Sequence, residues 1–163
     1  MRTAYTNTDD FNRLLGSFHH NWAALDLRID FAIYKFLNVT PLQAHLITSG
    51  MMFGRKIRLL VDLVKHSDDK RKARLLAVLG RVTRANREVI THSYVRSDPD
   101  SVTFMERKLS GPFTAKEHTY SIAEFQTYMG EVLKAELEFD KVLSASREEL
   151  DEFAQIALRP KPT

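Results

Sequence analysis

The chain has 163 residues, 44% of them apolar and 28% charged, with a formal net charge of +3 and no cysteine. That length and composition predict one globular domain, residues 1–163, with enough chain for a buried core, and they exclude a disordered polymer. Without cysteine there is no disulfide, no thiolate metal site and no cysteine nucleophile, which fits a reducing, cytoplasmic setting.

The first residues, MRTAYTNTDDF, carry no basic segment followed by an apolar run, so no signal peptide is expected. No stretch is apolar for 18 residues, so no membrane span is expected either. Asp9 and Asp10 can cap a first helix over 9–37, in which Trp22, Leu25, Ile29, Ile33 and Phe36 recur at three- and four-residue steps as one apolar stripe. Thr40-Pro41 pairs a capping residue with proline at the first helical position and opens a second helix over 41–66, with Gly50 or Gly54 as places for a bend. Ser67 or Asp68 opens a third over 68–93, carrying Leu75, Leu76, Leu79 and Val82. RSDPD, residues 96–100, has turn composition and ends it.

VTFMERKL and FTAKEHTY, joined by SGP, predict a β-hairpin at about 102–120. Ser121 with Glu124 forms a capping box for a helix over 121–143, whose stripe of Phe125, Met129, Val132, Leu133 and Phe139 is interrupted by Glu136. Ser146 starts a short last helix over 146–158. The expected fold is mainly α, an antiparallel helical bundle with an inserted hairpin.

Charge is unevenly spread. Arg55 to His92 holds eleven Lys/Arg against four Asp/Glu, and Ser121 to Glu152 holds three against nine. One reading is a face that steers a polyanion; the other is two solvated helix faces that attract each other.

The sequence holds no Gly-rich phosphate loop, since Gly54-Arg55-Lys56 lacks the upstream glycine, and no His-Glu-x-x-His zinc motif. His19 and His20 are adjacent, so on a helix they diverge by about 100° and make a poor metal pair. His45, His66 and His118 stand alone. No metal and no cofactor is expected. Phe104, Phe113 and Tyr120 could stack on bases or pack the hairpin onto the helices. The remaining candidate is RANREVITHSY, residues 84–94. Arginine can hold a phosphate with two parallel hydrogen bonds, and histidine can move a proton near neutrality. Five positions of ideal helix rotate by about 140°, so Arg87 and His92 would not share a face unless the helix ends or kinks between them, or a symmetric partner supplies a second copy.

The motif R-E-V-I-T-H, with H-S-Y extending it, resembles that of the HEPN family of small helical proteins, in which Arg is followed after four to six residues by His. The extension to His-x-Tyr resembles the branch of toxins paired with a minimal nucleotidyltransferase. NWAALDLRID and TPLQAHLITSGMMFGRKIRLLVDL look like the two helices that precede the motif, so the resemblance covers roughly residues 10–95. It implies an HEPN-like domain acting as a metal-independent endoribonuclease in a homodimer, with two copies of the motif meeting at a composite site. Arg87 and His92 would be catalytic. His92 would act on the ribose 2′-hydroxyl or the leaving oxygen, and Arg87 would hold the scissile phosphate, leaving a cyclic phosphate. Arg81, Arg84 and Asn86 are further candidates for RNA phosphates. Tyr94 would be a modification site for a nucleotidyltransferase antitoxin. The chain departs from the family in Glu88, where Asn, Asp or His is usual. Two other readings stand beside this one: a non-catalytic HEPN-like binding or dimerisation module, and an immunity or antitoxin-type protein that binds a charged protein partner.

Overall fold

The first helix, α1 (Ala4–Leu37), starts five residues before the expected position. Phe11, Phe18, Trp22, Leu25, Ile29 and Ile33 are all buried along it, and Phe36 is half-buried. Asp9 and Asp10 therefore lie inside α1 and do not cap it, because nothing in the preceding residues breaks the helix. Asp10 instead pairs with Arg13 at 2.6 Å, an exposed pair one turn apart. Asn38 takes a left-handed conformation, φ 53°, and its N–H donates to the Tyr34 carbonyl, which ends the helix. The computed structural model describes residues 4–85, 87–108 and 114–156.

Thr40 caps α2 (Pro41–Thr48) as expected. The Gln43 N–H donates to its hydroxyl at 3.3 Å, and its own N–H donates to the Gln43 side chain at 2.8 Å. Thr40→Ala should cost about 1 kcal/mol in urea unfolding, and an unchanged midpoint would show the cap to be idle. The continuous helix expected over 41–66 is instead two. The chain leaves the helix after Thr48, Met52 is extended, and α3 (Phe53–His66) begins beyond it. Gly50 lies in the break and Gly54 inside α3.

The helix expected over 68–93 is also broken. α4 (Lys72–Arg84) is preceded by a turn in which the Asp69 carboxylate, not Ser67 or Asp68, accepts the Arg71 N–H at 2.7 Å. A separate short helix, α5 (Arg87–His92), follows after Ala85.

Three strands come next: β1 (Tyr94–Asp98), β2 (Ser101–Lys108) and β3 (Thr114–Ser121), antiparallel in the order β1-β2-β3. The expected hairpin is β2–β3, one residue longer at each end; the SGP turn lies outside the described residues. The reading of RSDPD as a turn fails at Arg96–Asp98, which pair with Ser101–Thr103. Pairing to β2 supplies the backbone partners that a turn-rich composition does not foreshadow. Ser121 and Glu124 form the expected reciprocal cap of α6 (Ile122–Leu143). Ser146 and Glu149 do the same for α7 (Arg147–Ile156), and the last two residues expected in that helix lie outside the described ones.

The chain forms two compact units. The first comprises the segment ending at His20 together with Ala85–Leu133; the second comprises Asn21–Arg84 and the segment from Lys134 onward. In the first, Phe104 and Phe125 are fully buried and meet Phe11 at ring distances of 6.3 and 5.6 Å. In the second, Trp22 packs on Phe53 at 4.7 Å, and Phe153 of α7 docks edge-on against Phe31. Glu136, the acidic interruption of the α6 stripe, is 6% exposed and is held by Arg28 at 3.1 Å; Arg28 also bonds Asp140 at 2.5 Å. None of the described helices is long and apolar enough to cross a membrane.

Candidate phosphate-handling site

Arg87 and His92 are the first and last residues of α5. The buried side chains between them are Val89, 3% exposed, and Ile90, 4% exposed, and α5 packs on β2. At about 100° per residue, Arg87 and His92 fall on opposite flanks of that buried face, about 140° apart. The break that could have brought them together precedes Arg87 rather than falling between the two. Thr91 reinforces the helical course by donating to the Arg87 carbonyl at 2.7 Å. Arg87 is half-buried and His92 exposed. Tyr94 opens β1 opposite Met105 and is 61% exposed.

The break before α5 is fastened by a residue the sequence did not single out. The Tyr128 hydroxyl of α6 donates to the Ala85 carbonyl. Burial, and then the neighbouring Tyr120, push the Tyr128 hydroxyl far above the ordinary tyrosine range, so it stays a donor at any physiological pH. Tyr128→Phe should cost about 1 kcal/mol, since an acceptor loses its partner, and should speed hydrogen exchange in α5 more than in the α6 interior. Equal exchange changes in both helices would remove Tyr128 from this role.

The other candidates have separate settings. Arg81 and Arg84 stand on α4, in the second unit. Arg81 is tied to Glu138 of α6 at 2.5 Å, and here the basic and acidic segments attract each other directly. Arg84 is exposed. Asn86 lies outside the described residues, as does the side chain of Glu88. Phe104 is fully buried and cannot stack on a base; Tyr120 packs on Phe104 and Phe125, and Phe113 lies outside the described residues.

The lone histidines have structural partners: His45 bonds the Phe153 carbonyl at 2.8 Å and stacks on that ring, His66 bonds the Asp62 carbonyl at 2.8 Å, and His118 meets Glu106 at 3.3 Å. His19 and His20 are exposed on α1. Among the described residues no group of three or more His, Asp or Glu could hold a metal.

A second polar cluster went unread in the sequence. Lys56 of α3 is 6% exposed, and its ammonium bonds Asp30 at 2.9 Å and Asp26 at 3.1 Å, both on α1. Burial raises the Asp30 carboxyl above its ordinary value, opposed by the hydrogen bond from Lys56. Lys56 and Asp30 are buried and paired while Asp26 stays partly hydrated, the pattern of a structural ion pair.

No protein-family model, no curated protein and no solved structure matches the chain.

Proposed function

We propose that the protein is a metal-independent endoribonuclease of the HEPN toxin or defence type, with Arg87 and His92 catalytic in a composite homodimer site. One observation carries this reading: the motif occupies a helix of its own, with its two chemical residues on opposite flanks and its histidine and Tyr94 exposed. In this reading Arg87 of one copy and His92 of another close on a single phosphate.

In the reaction the 2′-oxygen attacks phosphorus, the bond to the 5′-oxygen breaks, and a 2′,3′-cyclic phosphate remains. His92 takes the proton from the 2′-hydroxyl or gives one to the departing 5′-oxygen. Arg87 offsets the charge that builds on the non-bridging oxygens. Modification of Tyr94 by a nucleotidyltransferase antitoxin would place bulk and negative charge two residues from His92, where RNA must approach. A non-catalytic binding module is the second reading, favoured by the Arg81–Glu138 pair, which withdraws one arginine from phosphate duty.

Incubation with RNA in EDTA tests the proposal. Cleavage that leaves cyclic-phosphate ends supports it. Intact RNA, with Tyr94 shown by mass spectrometry to carry no modification, sinks it in favour of the binding module.

A further inference from the structure

The spacing of cations on two neighbouring helices of the second unit has a different consequence. On α3 the exposed residues Arg55, Arg58 and Lys65 fall at relative positions 0, 3 and 10. On α4 the exposed residues Arg74, Arg81 and Arg84 fall at 0, 7 and 10. At about 100° per residue each set lies within about 80° of arc, a single stripe. The α3 stripe lies opposite that helix's buried side chains, Lys56, Ile57, Leu60 and Val64; the α4 stripe is centred about 130° from Leu75, Val78, Leu79 and Val82, with Arg74 at its edge nearest Val78. α3 and α4 pack together and are joined by a short turn, so they run antiparallel.

Two cation rows about 15 Å long, from ten residues of helical rise, therefore stand about one helix spacing apart. Asp62 is the carboxylate on the α3 row, and Glu138 holds Arg81. Arg55, Arg58, Lys65, Arg74 and Arg84 have no ion pair among the described residues. Five cations against the single carboxylate of Asp62 leave these two packed helices with excess positive charge, and a flexible polyanion relieves the repulsion by giving each cation a phosphate.

We infer that the α3–α4 surface is a track for the sugar-phosphate backbone of single-stranded RNA, gripping it through charge and without base readout. The choice of RNA rests on the function proposed above; the track itself is independent of cleavage.

The test measures binding of a fluorescent single-stranded RNA to the His92→Ala protein between 50 and 200 mM NaCl. A second protein adds Arg55→Gln, Arg58→Gln and Arg74→Gln. A third adds instead Arg13→Gln, Arg96→Gln and Arg147→Gln, which removes the same charge from exposed positions off these helices. Each lost phosphate contact flattens the plot of log K against log salt by about 0.7, so the α3–α4 triple should lose about two units of slope and at least about tenfold in affinity. The off-track triple should change little. Equal losses in both triples would make net charge the cause and overturn the track, as would a parent protein that binds no RNA. If native protein never cleaves yet binding follows the α3–α4 triple, the nuclease reading falls and the track stands.

Discussion

Mixing two inactive variants should restore RNA cleavage. His92→Ala and Arg87→Ala should each lower the rate of the native protein by about a hundredfold to ten-thousandfold, the usual worth of a positioned acid–base or phosphate-binding group. On α5 the two side chains diverge by about 140°, and the composite reading divides them between two copies. If each site takes Arg87 from one copy and His92 from the other, a mixed dimer of the two variants holds one intact site and one doubly defective site. Random exchange makes half the dimers mixed, and the mixture should recover about a quarter of native activity. Recovery is read after co-refolding, by release of cyclic-phosphate ends. A mixture as dead as its components places both residues in one chain's site, against the composite arrangement.

Lys56→Met should be strongly destabilising. The Lys56 ammonium holds Asp30, whose side chain is 13% exposed, and its loss leaves a buried carboxylate with no counter-charge. Removing one partner of such a pair costs about 3–5 kcal/mol, and the lower end applies here because Asp26, 38% exposed, keeps part of its hydration. Against a total stability of about 5–15 kcal/mol that is a large fraction.

The pH dependence has a fixed sign. Burial raises the folded-state value for Asp30 above 3.8, so the folded chain holds its proton more tightly than the unfolded chain does. Stability from this group is therefore greatest below 3.8 and declines as pH rises through the folded-state value, the reverse of an ordinary paired carboxylate. Loss of Lys56 pushes Asp30 higher still. The penalty of Lys56→Met should thus shrink at acid pH, where Asp30 is neutral, and grow toward pH 8. Urea unfolding at the two pH values decides it, and equal penalties would show that Asp30 is not the group responsible. Asp30→Asn in the Lys56→Met background should recover part of the loss.

The local caps were legible because each is written in adjacent residues: Thr40-Pro41 with Gln43, Ser121 with Glu124, and Ser146 at the start of α7. The Trp22 stripe was legible because a buried helix face repeats every three to four residues, and it is core as expected. What escaped depends on distant partners. The break before α5 is held by Tyr128, 43 positions along the chain, and RANREVITHSY contains neither proline nor glycine to announce it. β1 escaped because Arg96–Asp98 have turn composition and become strand only by pairing with β2. Glu136 was visible as an interruption, but its partner Arg28 lies on α1. The candidate site was legible as a motif. Its divergence was predictable from spacing, whereas the exclusion of Arg81 by Glu138 was not.

The nesting of the two units also sets an order of events at the ribosome. The segments that complete the first unit have all been made once synthesis reaches Leu133. The second begins earlier, at Asn21, yet its ties run from Arg28 to Glu136, from Lys35 to Glu149 and from His45 to Phe153. Those partners are more than a hundred residues apart, so Phe31 of α1 and Ala44 of α2 emerge without the Leu150 and Phe153 side chains that bury them, and wait for α7. Closing such long loops is slow, and the waiting helices expose hydrophobic surface in the meantime. A nascent chain stalled before α7 should accordingly depend on chaperones, and a chain released after it should not.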